Sequence, residues 1–338
     1  MKPIHSLQGL VEQIGQRLRL RWLTPPPSLC CPLLGSAGSN TATQRLVGSL
    51  NCIHPNRLQV LGTAEIDHLA DLSAPVYDET IERLFAACPA AIIFASGIEP
   101  QPVLYELAKH TGTPLLGTEA SDSEVVDRLQ YFLTHALAER ITVHGVFLEA
   151  LGVGVLLVGD AGIGKSELGL EMIARGHRLI ADDAPEFARI APEVLEGSCP
   201  AVLRDFLEVR GLGVLNVRAM FGEGAVCQRE NLNLIVAMRS FDNGELSQID
   251  RLRGSLSART ILGVSVPEIT IPVAPGRNLA VLLETAVRSQ ILRTRGYDAG
   301  VDLTVRQAQA IDDAGDEAVG AAPVTEKHET TTISGPAG

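Results

Sequence analysis

Two kinds of apolar pattern alternate along this 338-residue chain. Short continuous apolar runs, Ala90-Ala-Ile-Ile-Phe-Ala95 and Val153 to Val158, have the length of strands buried on both faces. Between such runs, apolar residues recur at helical spacing. Residues 8–23 form an amphipathic pattern that ends before Pro25-Pro26-Pro27. Glu65 to Leu72, Glu79 to Ala87 and Pro102 to His110 are also predicted helices, and Pro114 to Gly117 is a short strand. This β-α-β order predicts a small N-terminal α/β domain. Ser121 to Arg140 then forms a long amphipathic helix with a Ser/Asp start, bridging to a second domain.

From Thr142 the pattern becomes strand-rich. Thr142 to Leu148 and Gly152 to Val158 are expected to form a hairpin through Glu149-Ala-Leu-Gly. A strand at Arg178 to Ala181 runs into Asp182-Asp183, with further strands expected at 187–190, 213–218, 233–238 and 269–273. Leu279 to Arg295 is a predicted helix closed by Gly296. The expected domains are an N-terminal α/β domain over 1–132, a catalytic domain over 133–310, and an aperiodic, disordered acidic tail over 311–338.

The second domain contains the pattern with the most chemistry. Gly159-Asp160-Ala161-Gly162-Ile163-Gly164-Lys165-Ser166 is G-x-x-x-x-G-K-S, the phosphate-binding P-loop. An apolar strand precedes it. Leu168, Leu170, Met172 and Ile173 follow at roughly helical spacing, so the loop sits in the strand–loop–helix context that its chemistry needs. The glycines let backbone N–H groups turn inward, and the helix N-terminus adds partial positive charge. Lys165 can reach the terminal phosphates, and the Ser166 hydroxyl can ligate Mg²⁺. A nucleoside triphosphate is therefore the expected substrate class.

Composition narrows the classes further. The chain is 46% hydrophobic and 20% charged, with a net charge of −12. That balance fits a globular protein and argues against sequence-independent binding to nucleic acid or anionic lipid, which needs a basic surface. No apolar run reaches the length of a membrane span, and no secretory signal opens the chain. Cys30, Cys31, Cys52, Cys88, Cys199 and Cys227 form no C-x-x-C pair and no zinc spacing, so reduced thiols in the cytoplasm are expected.

Other residues gain meaning beside the loop. Asp182 and Asp183 end a strand and alternate faces, so one can serve a metal while the other acts as general base; a turn or cap carboxylate is the plainer reading. Leu207-Glu208-Val-Arg210-Gly211 offers Glu208 as a Mg²⁺ ligand, or else a surface Glu/Arg pair. The turn Ile271-Pro272-Val273-Ala274-Pro275-Gly276-Arg277-Asn278 presents Arg277 either to phosphate or to solvent. His144 is either a proton shuttle or a structural strand histidine. Arg251 has no reading from its surroundings alone.

The ordered set of these segments resembles the HPr kinase/phosphorylase family over roughly residues 44 to 300. It includes His54-Pro-Asn-Arg57, Val143-His144-Gly145, Gly159 to Glu167, Arg175-Gly-His-Arg178, Ala181-Asp182-Asp183, Glu208 to Asn216 and Pro272 to Asn278. The resemblance implies a phosphoenolpyruvate-carboxykinase-like P-loop domain, consistent with the absence of the H-R-D and D-F-G motifs of eukaryotic protein kinases. It implies ATP-dependent phosphorylation of a regulatory serine on the phosphocarrier HPr. It also implies removal of that phosphate by inorganic phosphate, giving pyrophosphate. By matching position, His144, Lys165, Asp183 and Arg251 would be catalytic, with Asp183 handling the serine proton. Ser166 and Glu208 would bind Mg²⁺, Gly159 to Ser166 would bind ATP, and Pro272 to Arg277 would serve phosphorolysis. A hexamer in the bacterial cytoplasm is implied as well. The chain departs from the family's pattern at Ala274, where a basic residue is expected, and at Pro185. The competing readings are a P-loop small-molecule kinase or ATPase and a non-catalytic ATP sensor; the sequence lacks the N-K-x-D motif of GTPases.

Overall fold

The structure is a computed structural model that describes residues 6–26, 46–51, 56–240 and 255–320, the side chains of 312–320 excepted. The chain divides into two compact units, Met1–Ile141 with Ala188–Pro192, and Thr142–Phe187 with Glu193–Gly338. The mixed α/β class expected from the alternating patterns holds in both.

The first unit contains α1 (Leu7–Leu18), β1 (Arg21–Trp22), β2 (Val47–Ser49), β3 (Leu58–Leu61), α2 (Thr63–Ala70), α3 (Ala74–Ala86), β4 (Ala91–Phe94), α4 (Pro102–Thr111), β5 (Leu115–Gly117) and α5 (Asp122–Leu137). Its sheet has the order β1-β5-β4-β3-β2, parallel except for β1. Strand β4 explains its own continuous apolar run. Ala91 and Ile93 face α1 and α5, while Ile92 and Phe94 face the cluster built by α2, α3 and α4. A strand covered on both faces has no polar side to show.

One feature of this unit differs from the sequence expectation. The first helix ends at Leu18, where Arg19 adopts a left-handed conformation, rather than running to residue 24. Arg21 and Trp22 instead pair with Gly117 and Leu116 of β5. Helical periodicity cannot register a partner strand nearly a hundred residues away. The helix α5 runs through residue 133, like the long bridging helix expected over Ser121 to Arg140. Of the His54-Pro-Asn-Arg57 segment, His54 and Pro55 lie outside the described residues. Asn56 is buried, and its side-chain amide donates to the Ser49 carbonyl at 2.8 Å.

After β6 (Arg140–Thr142) come β7 (Val146–Ala150), β8 (Val153–Gly159), α6 (Lys165–Ala174), β9 (Arg178–Ala181), β10 (Glu186–Ala191) and β11 (Val194–Ser198). Then follow β12 (Phe206–Val209), β13 (Gly213–Asn216), α7 (Val217–Phe221), β14 (Arg229–Ser240), β15 (Leu256–Ile261), β16 (Val264–Val273), α8 (Leu279–Thr294) and α9 (Ala299–Gly320). The expected hairpin forms between β7 and β8. Its two-residue turn, Leu151 and Gly152, has positive φ at both positions, as the twist of a tight hairpin requires. In β8, Val155 and Leu157 pack toward α6 and α8, while Leu156 and Val158 pack toward Phe147, Phe187 and Leu195.

Strand direction sets where the chemistry can gather. β8, β14 and β16 run parallel, and β7 is antiparallel to both β8 and β9. The carboxyl ends of β8, β9, β14 and β16 therefore lie at one edge, together with the start of β7. Ligands of α/β sheets bind at such an edge.

The segment 213–218, expected as one strand, stops at Asn216 and turns into α7, because the Asn216 side chain accepts from the Ala219 amide at 2.9 Å and caps a helix. The helix α9 continues to residue 320, past residue 311 where the sequence reading begins the tail. Residues 321–338 lie outside the described residues.

Candidate active site

The P-loop leaves β8 at Gly159. There φ is 153°, and a Cβ would stand 2.6 Å from the Met238 carbonyl oxygen of neighbouring β14, so only glycine lets the two parallel strands approach this closely. The loop then feeds the N-terminus of α6. The Lys165 ammonium donates to the carbonyl oxygens of Gly159 at 2.9 Å and Asp160 at 3.0 Å, folding the lysine over the loop that it serves. Lys165 is buried to 8% exposure, so its charge faces the loop and the cavity rather than bulk water.

The adjacent aspartates part company. Asp182 turns inward and is buried. Its Oδ1 accepts the Ser166 hydroxyl at 3.2 Å, and its Oδ2 accepts the Glu208 amide at 2.8 Å. One carboxylate thus fastens the β12–β13 hairpin to the start of α6. Asp183 turns outward with φ of 68°, and its carbonyl accepts the Gly145 amide at 3.2 Å. Its Oδ1 lies 2.8 Å from His144 Nδ1 at the entry to β7. His144, Lys165, Ser166, Asp183 and Glu208 all line one cavity of about 220 Å³, together with Ala161, Gly162 and Gly164 of the loop.

Other expected site residues stand elsewhere. Gly159, Asp160 and Ile163 shape the loop without lining the cavity, and Ile163 packs on the core. Pro272 and Val273 pair with Arg239 and Ser240 at the end of β14. Beyond Ala274, Pro275 and Gly276, Arg277 lines an adjoining groove that shares Gly164 and Glu167 with the main cavity. Asn278 caps α8 by accepting from the Val281 amide at 3.0 Å. Arg251 lies outside the described residues.

Gly145, Glu167, Asp182 and Arg210 also line the cavity, beyond the site residues expected from sequence. From sequence, Asp182 is half of a carboxylate pair and Arg210 a surface partner of Glu208. No ion pair joins Glu208 and Arg210; both line the cavity. The signal was present in the alternation of β12, where Leu207 and Val209 are buried and Glu208 and Arg210 therefore share the opposite face.

The donor set fits a magnesium polyphosphate. Among the described residues, no three His, Cys, Asp or Glu side chains converge as a cation cage. Mg²⁺ suits such a sparse site, because it keeps phosphate oxygens and water and needs few protein ligands. Because the Ser166 hydroxyl hydrogen already points at Asp182, a lone pair is left for a cation.

Burial pushes the Asp182 carboxyl above its ordinary range, against the opposing pull of the Glu208 amide and the Ser166 hydroxyl. Such a carboxyl holds its proton more tightly in the folded protein than in the unfolded chain. Its contribution to stability is full below the ordinary Asp range and is lost as pH rises through the folded value. The Asp182→Asn protein, without Mg²⁺, is therefore expected to lose less thermal midpoint than the parent as pH rises above the ordinary Asp range. Parallel pH profiles would refute this account of the carboxyl.

Fold and site together define a class: a two-unit α/β protein with a P-loop phosphate cradle and an ionisable pair beside it. Residues 6–133 match the family described as HPr Serine kinase N terminus, and residues 135–307 match the HPr Serine kinase C-terminal domain. Proteins named HPr kinase/phosphorylase from Xanthomonas euvesicatoria pv. vesicatoria and Xanthomonas axonopodis pv. citri are each 45% identical over 309 residues, covering 91% of this chain and 97% of theirs. The chain belongs to the HPr kinase/phosphorylase family. The solved Hpr(Ser) kinase/phosphatase from Coxiella burnetii aligns with a TM-score of 0.44 and 36% identity, over 48% of this chain and 98% of its own.

Proposed function

We propose that this protein uses ATP to phosphorylate a regulatory serine of HPr, and removes that phosphate with inorganic phosphate to give pyrophosphate. The observation that carries the reading is the His144–Asp183 pair, 2.8 Å apart, in the same cavity as Lys165 and Ser166 of the P-loop. Family membership supports HPr as the acceptor. We place the catalytic domain at residues 133–310.

In the kinase direction, the loop amides and Lys165 hold the triphosphate, and Asp183 takes the proton of the attacking serine hydroxyl. His144 orients that carboxylate through Nδ1. In the reverse direction, the phosphate oxygen attacks the seryl phosphorus, the P–O bond to serine breaks, and protonated Asp183 returns its proton to the serine oxygen. Ser166 and Glu208 would hold Mg²⁺, which supplies charge neutralisation at the phosphates when bound. Arg277 and its turn, Pro272 to Arg277, would serve the incoming phosphate, and Arg251 would complete the catalytic group. Among the described residues no helix is long and apolar enough to cross a membrane. By family, a cytoplasmic homo-oligomer, a hexamer, is the expected assembly.

The direct test mixes the purified protein, Mg²⁺-ATP and HPr and follows seryl phosphate by mass spectrometry, then adds excess phosphate and assays pyrophosphate. Transfer followed by phosphate-dependent reversal is expected. Transfer without reversal would restrict the protein to a kinase and implicate Ala274. No transfer with ATP bound would overturn the reading in favour of a sensor or small-molecule kinase.

A further inference from the structure

We propose that Arg210 grips phosphate in this site, specifically the phosphate that leaves in the kinase direction and attacks in the reverse one. Which phosphate it grips rests on the kinase/phosphorylase reading; that it grips an anion rests on the geometry alone.

Arg210 stands at the end of β12, where the chain turns toward β13. Leu207 and Val209 are buried beneath it, so the strand's alternation aims Glu208 and Arg210 toward the cavity. Asp182 anchors this strand by accepting the Glu208 amide, two residues away, while it also holds Ser166. The hairpin is thereby indexed to the P-loop.

The guanidinium lies against the apex of that loop. A Cβ on Gly162 would stand 3.3 Å from Arg210 Nη1 and 3.5 Å from Nη2. The pattern G-x-x-x-x-G-K-S leaves position 162 open to any residue. Here it is glycine with φ of +79°, and the absent side chain leaves room for the guanidinium.

Arg210 also lacks a carboxylate. Among the described residues it makes no ion pair, whereas Arg218, a few residues on, pairs with both Asp205 and Glu223. Loop amides and a planar guanidinium thus face one space, all of them donors. An oxyanion satisfies both sets, and the fork of an arginine suits two phosphate oxygens. The middle of a P-loop cradles the inner phosphates while its lysine reaches outward. Contact at Gly162 therefore assigns Arg210 to the phosphate inside the transferred one. That position is taken by the leaving diphosphate in one direction and by the attacking phosphate in the other.

The test titrates inorganic pyrophosphate with Mg²⁺ calorimetrically into the parent protein, Arg210→Lys and Arg210→Gln. Arg210→Gln is expected to weaken binding about tenfold or more, and Arg210→Lys by less, because it keeps the charge but loses the fork. Thermal midpoints should stay unchanged, since the side chain is exposed. In the HPr assay, the KM for phosphate should rise in parallel. Pyrophosphate binding by Arg210→Gln at parental affinity would overturn the proposal, as would a parent protein that binds no pyrophosphate. A parent that binds pyrophosphate yet leaves HPr unmodified would retire the kinase reading while the calorimetry still decides Arg210.

Discussion

Asp183→Asn is expected to cut serine phosphorylation by on the order of 10²–10⁴-fold, the range that a positioned general base contributes. Asparagine is the informative substitution because of the backbone. Asp183 sits at φ of 68°, a conformation that Asn and Asp tolerate better than other side-chain-bearing residues. Its carbonyl still accepts the Gly145 amide, so the start of β7 stays in place. The side chain is exposed, and its loss of charge leaves no buried group unpaired. What disappears is a group able to take a proton, and with it the anionic partner of His144. ATP binding, measured by calorimetry, should persist, because Lys165 and the loop amides are untouched. Full transfer activity in this variant would remove Asp183 from the mechanism.

Lys165→Ala should lower both directions together, by on the order of 10²–10³-fold, the effect of deleting one preorganised donor from a charged transition state. The lysine has two tasks in the structure. It ties the carbonyls of Gly159 and Asp160, and it places a buried positive charge beside the phosphate cavity. Kinase and phosphorylase reactions pass through the same in-line arrangement, so a shared phosphate site cannot lose one without the other. Rates of seryl-phosphate formation and of pyrophosphate release, measured on the same preparation, decide the matter. A variant that lost only one activity would require two separate phosphate sites.

Much of this site could be read along the chain because its pieces are local. The P-loop is a strand, a turn and a helix in one stretch of sequence, and the positive φ of Gly159, Gly162 and Gly164 is a local backbone requirement, although what Gly159 and Gly162 pack against comes from β14 and Arg210. The tight hairpin between β7 and β8 was legible for the same reason. Strands β11, β12 and β15 were not anticipated, since short strands with mixed faces owe their pairing to partners elsewhere in the chain. Arg210 stands just past the end of β12. Its residue type and alternation were visible, but nothing local says that the hairpin's outward face meets a loop some fifty residues earlier.

The two aspartates mark the division most clearly. The sequence by itself determined that a pair of carboxylates follows a strand beside a P-loop, and that neighbouring residues on a strand point apart. Only the tertiary structure decided which contacts each one makes. Asp182 is taken up by Ser166 and the Glu208 amide, and Asp183 is left facing His144. Local pattern specifies periodicity, caps and turns, because these depend on residues within a few positions. It carries no strand direction, and direction is what brings the ends of β8, β9 and β14 and the start of β7 to one edge, where phosphate chemistry becomes possible.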